Sequence, residues 1–225
     1  MKNKITILIP CLNEEKTLGI CIKKALVFIE RHNLNAEILV ADNGSTDKSK
    51  EIAKSFKSRL IEVKKRGYGN ALIEGIKNAQ GDYIVMGDAD DSYNFLEIAD
   101  FIKKLEDGYD FVIGNRYYHM EKGAMKWTHK YIGTPILTKI VNKKYGLNLK
   151  DINCGLRGFK KDKILKLDLK SEGMEFASEM IIRAKQANLK IIEIPINFYK
   201  DKRNKKSNLK TIRDGIKHLK LIKTI

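Results

Sequence analysis

The sequence predicts an α/β fold in which helices flank a mostly parallel sheet, and three observations lead to this prediction. The chain has 225 residues, which is enough for one large domain with its own core. Hydrophobic residues make up 43% and charged residues 32%, so the composition is that of a globular protein. In the first half, short apolar runs alternate with segments of helical periodicity, and such βαβ units specify parallel strands.

The first half divides into strands and helices in turn. Strands are predicted at residues 4–10, 37–41, 60–63, 83–86 and 110–114. Helices are predicted after Asn13, after the sequence NGSTD, and over residues 68–79 and 95–105. The first helix has the clearest pattern, because apolar residues recur every three or four positions from Leu18 to Ile29 and Asn13 can cap its start.

The second half is less regular. A helix is predicted over residues 133–145, a strand and turn at NCGLRGFKKD, a helix over 173–187 and a strand over 190–198. We find no internal repeat and no low-complexity linker, so we expect a single domain. In open sheets of this kind, ligands bind at the carboxyl ends of the strands.

Cysteine content and hydropathy favour the reducing cytosol. Cys11, Cys21 and Cys154 are too few and too scattered for a disulfide framework or a Zn²⁺ site. The N-terminal apolar run is too short for a secretory signal, and no stretch approaches the roughly 18 apolar residues of a membrane span. We therefore expect a cytoplasmic protein that is soluble or held at a membrane surface.

Positive charge is concentrated near the C-terminus. The formal net charge is +16, and residues 200–225 hold ten Lys or Arg against two Asp. A basic segment of this kind predicts an anionic partner, which is a nucleic acid, a phosphate or a membrane surface. We find no nucleic-acid-binding module, and aromatic residues are not interleaved with the basic run. A non-enzymatic nucleic-acid-binding protein therefore stays a remote alternative.

Three carboxylates follow the predicted strand in GDYIVMGDADDSY, and like charges this close repel. An EF-hand is excluded, because counting from Asp88 the sixth position is Tyr93 and the twelfth is Ala99. The aspartyl-phosphate phosphatases carry such a pair on their first strand, whereas this one follows about the fourth. Two interpretations remain for this loop: a polar loop with an Asp that caps the next helix, or a site for a divalent cation that bridges to a diphosphate.

Four sequence blocks occur in order: IPCLNEEKTL at 9–18, ADNGSTDKS at 41–49, KRGYGNALIEGI at 65–76 and GDYIVMGDADDSY at 81–93. Together they closely resemble the family 2 glycosyltransferases of the GT-A fold. The resemblance implies a nucleotide-sugar donor, linked to UDP or GDP, and Mg²⁺ or Mn²⁺ as cofactor. Asp90 matches the firmest metal ligand of the family's Asp-x-Asp motif, and Asp88 is divided between ribose and metal.

The resemblance also assigns the donor site. The positions that match nucleotide-sugar-binding residues are Pro10, Asn13, Glu14, Asp42, Lys65, Arg66, Gly67, Asn70 and Asp88. Asp42 ends a strand, so its carboxylate can accept hydrogen bonds from the base or the sugar. Its alternative role is to cap a turn or a helix.

Downstream blocks narrow the resemblance. VIGNRY, GAMKWTHKYIGTP, DINCGLRGF and GMEFASEMIIRA resemble the branch that makes polyprenyl-phosphate sugars, the dolichol-phosphate mannose and glucose synthase type. YKDKRNKKSNL resembles that branch's Arg-x-Gly-x-Ser-Lys-Leu loop, with Lys205 in place of Gly and Asn208 in place of Lys. The implied acceptor is a polyprenyl phosphate on a membrane surface, and the candidate residues for its phosphate are Arg116, Arg157, Arg203, Lys206 and Ser207.

The acceptor decides the catalytic groups. A phosphate monoester has a second pKa of about 6 and is charged at neutral pH, so it needs no catalytic base. Asp90, Arg116 and Arg203 are then the expected catalytic residues of an inverting transfer. If the acceptor is instead a glycan hydroxyl, Glu175 or Glu179 becomes the candidate base.

The chain end is predicted to form a basic amphipathic helix. Apolar residues fall at Leu209, Ile212, Ile216 and Leu219, and basic residues fall at Lys210, Arg213, Lys217 and Lys220. Such a helix suits the cytoplasmic face of an anionic membrane, although it could equally pack on the domain. We expect a donor half at 1–95, an acceptor half at 96–198 and a membrane-proximal segment at 199–225. Trp127 and His129 are expected to be packing residues.

Overall fold

The computed structural model describes residues 4–203 and 211–225. The strands form one sheet in the order β3-β2-β1-β4-β6-β5-β7. They are β1 Ile5–Cys11, β2 Ala36–Asp42, β3 Arg59–Glu62, β4 Tyr83–Met86, β5 Phe111–Met120, β6 Arg157–Lys160 and β7 Ile191–Phe198. β6 runs antiparallel to both neighbours, and the other pairs are parallel. The predicted α/β class with a mostly parallel sheet is confirmed.

Helices connect the strands. They are α1 Leu18–Arg31, α2 Ser49–Ser55, α3 Tyr68–Asn78, α4 Ala99–Glu106, α5 Thr134–Tyr145, α6 Lys161–Leu165, α7 Phe176–Gln186 and α8 Thr211–Thr224. A π-helical turn, His129–Gly133, leads into α5. The sequence explains the bounds of α5, because Pro135 lies in its first turn and Gly146 ends it with a φ of 63°.

The core forms around the central strand. All seven residues of β1 are buried, and its sequence ITILIPC is apolar except for Thr6. The Thr6 hydroxyl donates a hydrogen bond of 2.7 Å to Glu37, which satisfies it inside the sheet. A strand buried on both faces reads as a continuous apolar run, as the sequence predicts for parallel sheets.

One edge of the sheet collects the ends of several strands. Cys11 at the end of β1 lies beside Asp42 at the end of β2, and Leu8 of β1 lies beside Met86 at the end of β4. Because β6 is antiparallel, its first residue, Arg157, also pairs with Met86. The loops after β1, β2 and β4 and the loop before β6 therefore meet at this edge.

α8 packs on other helices through one face. Nδ1 of His218 lies 2.7 Å from the Ser178 hydroxyl of α7, and the Tyr145 hydroxyl of α5 donates to the Ile222 carbonyl at 3.2 Å. Ile216 and Leu219 of the predicted apolar stripe remain 50% and 40% exposed. The rest of that stripe lies outside the described side chains. Among the helices of residues 4–203 and 211–225, none is long and apolar enough to cross a membrane.

Candidate active site

The first carboxylate after β4, that of Asp88, is half-buried and closely surrounded. The Tyr68 hydroxyl donates a hydrogen bond of 2.9 Å to Oδ1 of Asp88. Gly155, from the loop before β6, lies so close that a Cβ there would be 2.7 Å from Oδ2 of Asp88. Burial and the neighbouring carboxylate of Asp90 raise the pKa of Asp88 to about 6. Positive charge from a ligand would relieve this cost, so the pair suits a divalent cation.

Asp90 contacts a guanidinium from the far end of the chain. Its Oδ1 accepts hydrogen bonds from the amide and hydroxyl of Ser92, at 3.0 and 2.6 Å. Its Oδ2 lies 3.1 Å from Nη2 of Arg203, whose Nη1 lies 3.4 Å from Oε1 of Glu14. The structure therefore brings together three residues that the sequence analysis placed in different roles.

Asp91 takes part in a separate charge cluster. Its buried carboxylate accepts from Lys24 and from Lys202, each at 2.6 Å, and its backbone has a φ of 61°. The Lys202 amide also donates to the Asp90 carbonyl at 3.1 Å. Asp91 is thus neutralised by lysines, and it anchors the segment that carries Arg203 beside the acidic loop.

Asp42 has the turn-capping role that the sequence left open, and its role toward a base or sugar stays a prediction. Its Oδ2 caps the following turn by accepting from the amides of Gly44 and Ser45, at 3.1 and 3.0 Å. Its Oδ1 is buried and has no hydrogen-bond partner within the described residues. A buried carboxylate oxygen without a donor is costly, and a ligand N–H or O–H would satisfy it.

The loop after β1 is tied to the loop after β2. Asn13 has a φ of 57°, and its Oδ1 accepts from the Thr46 amide at 2.7 Å. The Glu14 amide donates to the Ser49 hydroxyl at 2.8 Å. The prediction that Asn13 caps α1 is wrong, because its side chain bridges the two loops and α1 begins only at Leu18. Pro10 is buried within β1 beside this bridge.

A third loop closes over the same edge. The Asn43 side chain accepts from the Gly67 amide at 2.6 Å and donates to the Lys65 carbonyl at 2.8 Å. The side-chain amide of Asn70 donates to the Arg66 carbonyl at 2.9 Å. These bonds fix the start of α3, and the amides of Gly67 and Gly69 are taken up by Asn43 and by the Glu172 carbonyl.

The predicted donor-binding residues of this loop, Lys65, Arg66 and Gly67, all contact other parts of the protein. Lys65 forms an ion pair with Glu172, and the Arg66 guanidinium packs against Gly44. Gly67 has a φ of 136°, and a Cβ there would lie 2.2 Å from the Glu172 carbonyl oxygen. Glycine is therefore required at this position by close approach as well as by conformation.

Arg157 is not a phosphate clamp. Its side chain is fully buried, and it donates to three backbone carbonyls, those of Cys154 at 2.8 Å, Ile152 at 2.8 Å and Ala177 at 2.9 Å. The prediction that it binds the acceptor phosphate is wrong, because its donors hold the loop before β6 against α7. Burial also lowers the pKa of its guanidinium.

Arg116 has a partner that the sequence analysis missed. Its Nε and Nη2 donate to the two oxygens of Asp151, at 2.6 and 2.8 Å, and its guanidinium lies 5.3 Å from the Phe198 ring. A bidentate pair with a buried carboxylate fixes the side chain. A direct role of Arg116 toward an acceptor phosphate stays a prediction.

The two candidate bases, Glu175 and Glu179, differ in how their carboxylate oxygens are hydrogen-bonded. Both oxygens of Glu179 accept backbone hydrogen bonds, at 2.7 to 3.1 Å, from the amides of Lys170 and Ser171. The prediction of Glu179 as a base is corrected, because its carboxylate shapes the loop that packs on α3. Glu175 is half-buried, and its Oε2 has no hydrogen-bond partner within the described part of the chain.

Some predictions lie outside what the structure describes, and some site residues were missed. Lys206 and Ser207 fall outside the described residues. Tyr68, Gly155 and Asp151 lie within or beside the sequence blocks that carry the family resemblance, which is the signal that could have found them. Within residues 4–203 and 211–225, no group of three or more His, Cys, Asp or Glu could hold a metal. A cation at Asp88 and Asp90 would therefore take further ligands from a substrate.

Comparison with known proteins identifies sequence relatives. Residues 6–167 match the family described as Glycosyl transferase family 2. Low-salt glycan biosynthesis hexosyltransferase Agl6 of Haloferax volcanii is 36% identical over 220 residues, covering 97% of this chain and 52% of that protein. Glycosyltransferase AglJ of the same organism is 30% identical over 212 residues, covering 94% and 68%. The chain thus spans about half the length of the first relative.

Solved structures share the fold. Glucosyl-3-phosphoglycerate synthase from Mycobacterium tuberculosis, in complex with phosphoglyceric acid, is similar with a TM-score of 0.79 at 17% identity, over 99% of this chain and 80% of that one. The same enzyme in complex with Mn²⁺, uridine diphosphate and glucosyl-3-phosphoglycerate gives 0.72 at 17% identity, over 99% and 77%.

Proposed function

This chain belongs to family 2 of the glycosyltransferases, and on that premise we propose that it moves a hexose or N-acetylhexosamine from a nucleotide-sugar to a polyprenyl (dolichyl) phosphate. The transfer inverts the anomeric carbon and takes place at the cytoplasmic face of a membrane. The M. tuberculosis relative binds uridine diphosphate with Mn²⁺ or Mg²⁺, which supports a nucleotide donor and a divalent ion here.

The donor site is the edge where the loops after β1, β2 and β4 meet. The unpartnered Oδ1 of Asp42 accepts a hydrogen bond from the base or ribose. The exposed guanidinium of Arg66, in the loop that Asn43 fixes before α3, supplies positive charge to the diphosphate. Asp88 and Asp90 would hold Mg²⁺ or Mn²⁺, which supplies positive charge to the leaving diphosphate.

One observation carries the choice of acceptor. The segment with Lys202 and Arg203 is bonded along the acidic loop, so its guanidinium stands directly beside Asp90. A cationic side chain at this point suits an anionic acceptor and gives no advantage to a neutral hydroxyl. A phosphate acceptor also needs no base, which agrees with a Glu179 carboxylate bound entirely by amides.

Direct transfer tests the proposal. The full chain is incubated with Mn²⁺, dolichyl phosphate and labelled UDP- or GDP-sugars, and label is expected in the lipid phase. Asp90→Asn should reduce the rate by about 100-fold or more, because charge stabilisation of a leaving group is worth several kcal/mol. Asp107→Asn, on the surface, is the matched control. If no donor labels the lipid although the protein is folded, the proposal is wrong.

A glycan hydroxyl is the second candidate acceptor. It is favoured by the Glu175 Oε2 atom, which is buried without a hydrogen-bond partner in the described residues and could take a proton. Transfer to soluble glycan acceptors should then be lost in Glu175→Gln and kept in Arg203→Gln. The opposite pattern, with lipid phosphate as acceptor, supports the first proposal.

A further inference from the structure

Large apolar side chains lie exposed near the end of β5, on the helical segment that leads into α5, and on the first turn of α5. In the part of the chain that the structure describes, the four most exposed are Tyr118 at 74%, Trp127 at 65%, Tyr131 at 58% and Ile136 at 52%. Ile132 is also exposed, at 45%. Single exposed apolar residues are ordinary, but a group this close together marks an interaction surface.

Helical spacing places four of these side chains on one side of the segment. Trp127 and Tyr131 are four residues apart, and their ring centroids lie 5.7 Å apart. Ile132 follows Tyr131 directly, and Ile136 lies four residues after Ile132. We call Trp127, Tyr131, Ile132 and Ile136 the Trp127 face. The neighbouring Leu137 is 8% exposed and belongs to the core side of the helix.

Positive charge surrounds the Trp127 face in the sequence. Residues 122–150 contain no Asp or Glu, and their lysines are Lys122, Lys126, Lys130, Lys139, Lys143, Lys144 and Lys150. Lys130 lies 5.3 Å from the Tyr131 ring centroid, and Lys126 and Lys139 are exposed. An apolar face with aromatic rings, set in a stretch of sequence that holds lysines and no carboxylates, matches an anionic bilayer, where Trp and Tyr lie at the interface and lysines reach the headgroups.

α8 adds a second strip of the same character. Its exposed side carries Ile216 and Leu219 together with the exposed Lys220. The Tyr145 hydroxyl bonds the Ile222 carbonyl, so α8 is fixed to the C-terminal end of α5.

We propose that the Trp127 face docks on an anionic lipid bilayer. A second copy of this chain fits poorly, since symmetric pairing would bring together two copies of a segment, residues 122–150, that holds seven lysines and no Asp or Glu. The inference rests on the proposed function, in which a bilayer carries the acceptor. Binding to a bilayer is measured without any sugar transfer, so the docking proposal and the proposed function can fail separately.

Fluorescence gives a direct test, because Trp127 is the only tryptophan. The full chain is mixed with vesicles of phosphatidylcholine alone or with 30 mol % phosphatidylglycerol (about a third anionic lipid, enough for a strong surface potential). Anionic vesicles should shift the emission to shorter wavelength, brominated lipids should quench it, and high salt should weaken both effects.

Matched variants locate the surface. Ile132→Ser with Ile136→Ser should lower vesicle partitioning about tenfold or more, since several buried methylene groups are lost. Leu26→Ser with Leu165→Ser, which are exposed at 39% and 46%, should not. Lys126→Glu with Lys139→Glu should weaken binding, whereas Lys54→Glu with Lys166→Glu changes the net charge equally and should have less effect.

Four outcomes would overturn the docking proposal. They are an unshifted Trp127 emission with anionic vesicles, equal binding by both serine pairs, a dimer that dissociates in the Ile132→Ser, Ile136→Ser variant, and a blue shift from RNA but not from vesicles. Vesicle binding without transfer would leave docking intact and contradict the proposed function. Transfer to a water-soluble short-chain prenyl phosphate without vesicle binding would support the proposed function and contradict docking.

Discussion

Arg157 and Arg203 carry the same guanidinium, yet burial gives them different roles. Arg157 donates to backbone carbonyls inside the domain, whereas Arg203 lies beside Asp90 at the edge of the sheet. Both lie in sequence blocks that resemble the polyprenyl-phosphate branch, although the block with Arg203 departs from its loop at Lys205 and Asn208. What separates the two arginines is which acceptors surround them, and sequence patterns do not encode that.

Arg157→Met should therefore damage stability rather than acceptor binding. Three buried carbonyls would lose their donor, so the free energy of unfolding should fall by about 3 kcal/mol or more in urea titrations. Arg31→Met, at an exposed site, should change it by less than about 0.5 kcal/mol. A raised KM for the acceptor with unchanged stability would instead restore Arg157 as a clamp.

The raised pKa of Asp88 predicts pH-dependent cofactor binding. Below about pH 6 the carboxyl holds a proton that Mn²⁺ must displace, so the affinity for Mn²⁺ with UDP should fall as pH drops from 7.5 to 5. The stability of the protein without ligands should change in the opposite direction and rise as pH falls. The reason is that a carboxyl whose pKa is raised by folding binds its proton more tightly in the folded state. Calorimetric titration checks the affinity, and Asp88→Asn should flatten its pH profile.

At the scale of elements, α3 is positioned by a loop from the second half of the chain. Gly69 donates its amide to the Glu172 carbonyl at 2.8 Å, and a Cβ at Gly69 would lie 1.9 Å from the Ser171 carbonyl oxygen. Glu179 holds the same loop through the Ser171 amide. The start of α3 thus depends on contacts far away in sequence.

Gly69→Ala should destabilise the protein by about 1–3 kcal/mol, because backbone must move to admit the methyl group. The Kd for UDP should rise as well, since the start of α3 shifts. Gly215→Ala, in α8 with nothing within 4 Å of the added Cβ, should instead stabilise by up to about 1 kcal/mol. Thermal unfolding and UDP titration compare the two, and equal effects would contradict the contact.

α8 should loosen in acid. Burial lowers the pKa of His218 despite the nearby carboxylates of Glu175 and Asp214, with Arg157 opposing protonation. Above the ordinary imidazole pKa, the neutral histidine contributes to the stability of the fold. This contribution is lost as pH falls from the ordinary imidazole pKa toward the lowered pKa of His218, by at most about 1.4 kcal/mol per pH unit. Urea unfolding at pH 7.5 and 5.5 measures the loss. His218→Gln should show a smaller difference, and an equal one would reject the assignment.

At the scale of the whole molecule, the local alternation of strands and helices was enough to predict the fold. The sequence did not reveal β6 as an antiparallel strand, because its pairing of Arg157 with Met86 joins residues distant in the chain. From the sequence, Trp127 was expected to pack against other residues, although the structure leaves its side chain 65% exposed. Composition shows which residues are apolar, but the folded surface decides which of them remain uncovered.

The described domain should unfold in one step. β4 and β5 are joined through β6, which pairs with both, so neither predicted half has a complete sheet. We expect far-UV circular dichroism and Trp127 emission to give coincident urea transitions. Two separated transitions would show that the halves 1–95 and 96–198 fold independently.

The insertion of β6 has a consequence for how the protein is made. During translation, residues 1–120 emerge first, and β4 then carries an open hydrogen-bonding edge for a further stretch of about 40 residues until 157–160 leave the ribosome. The nascent chain is most exposed to wrong pairing in that interval. Synonymous codons that delay translation while residues 120–157 are emerging from the ribosome should therefore increase aggregation, whereas the same delay after residues 157–160 have emerged should not.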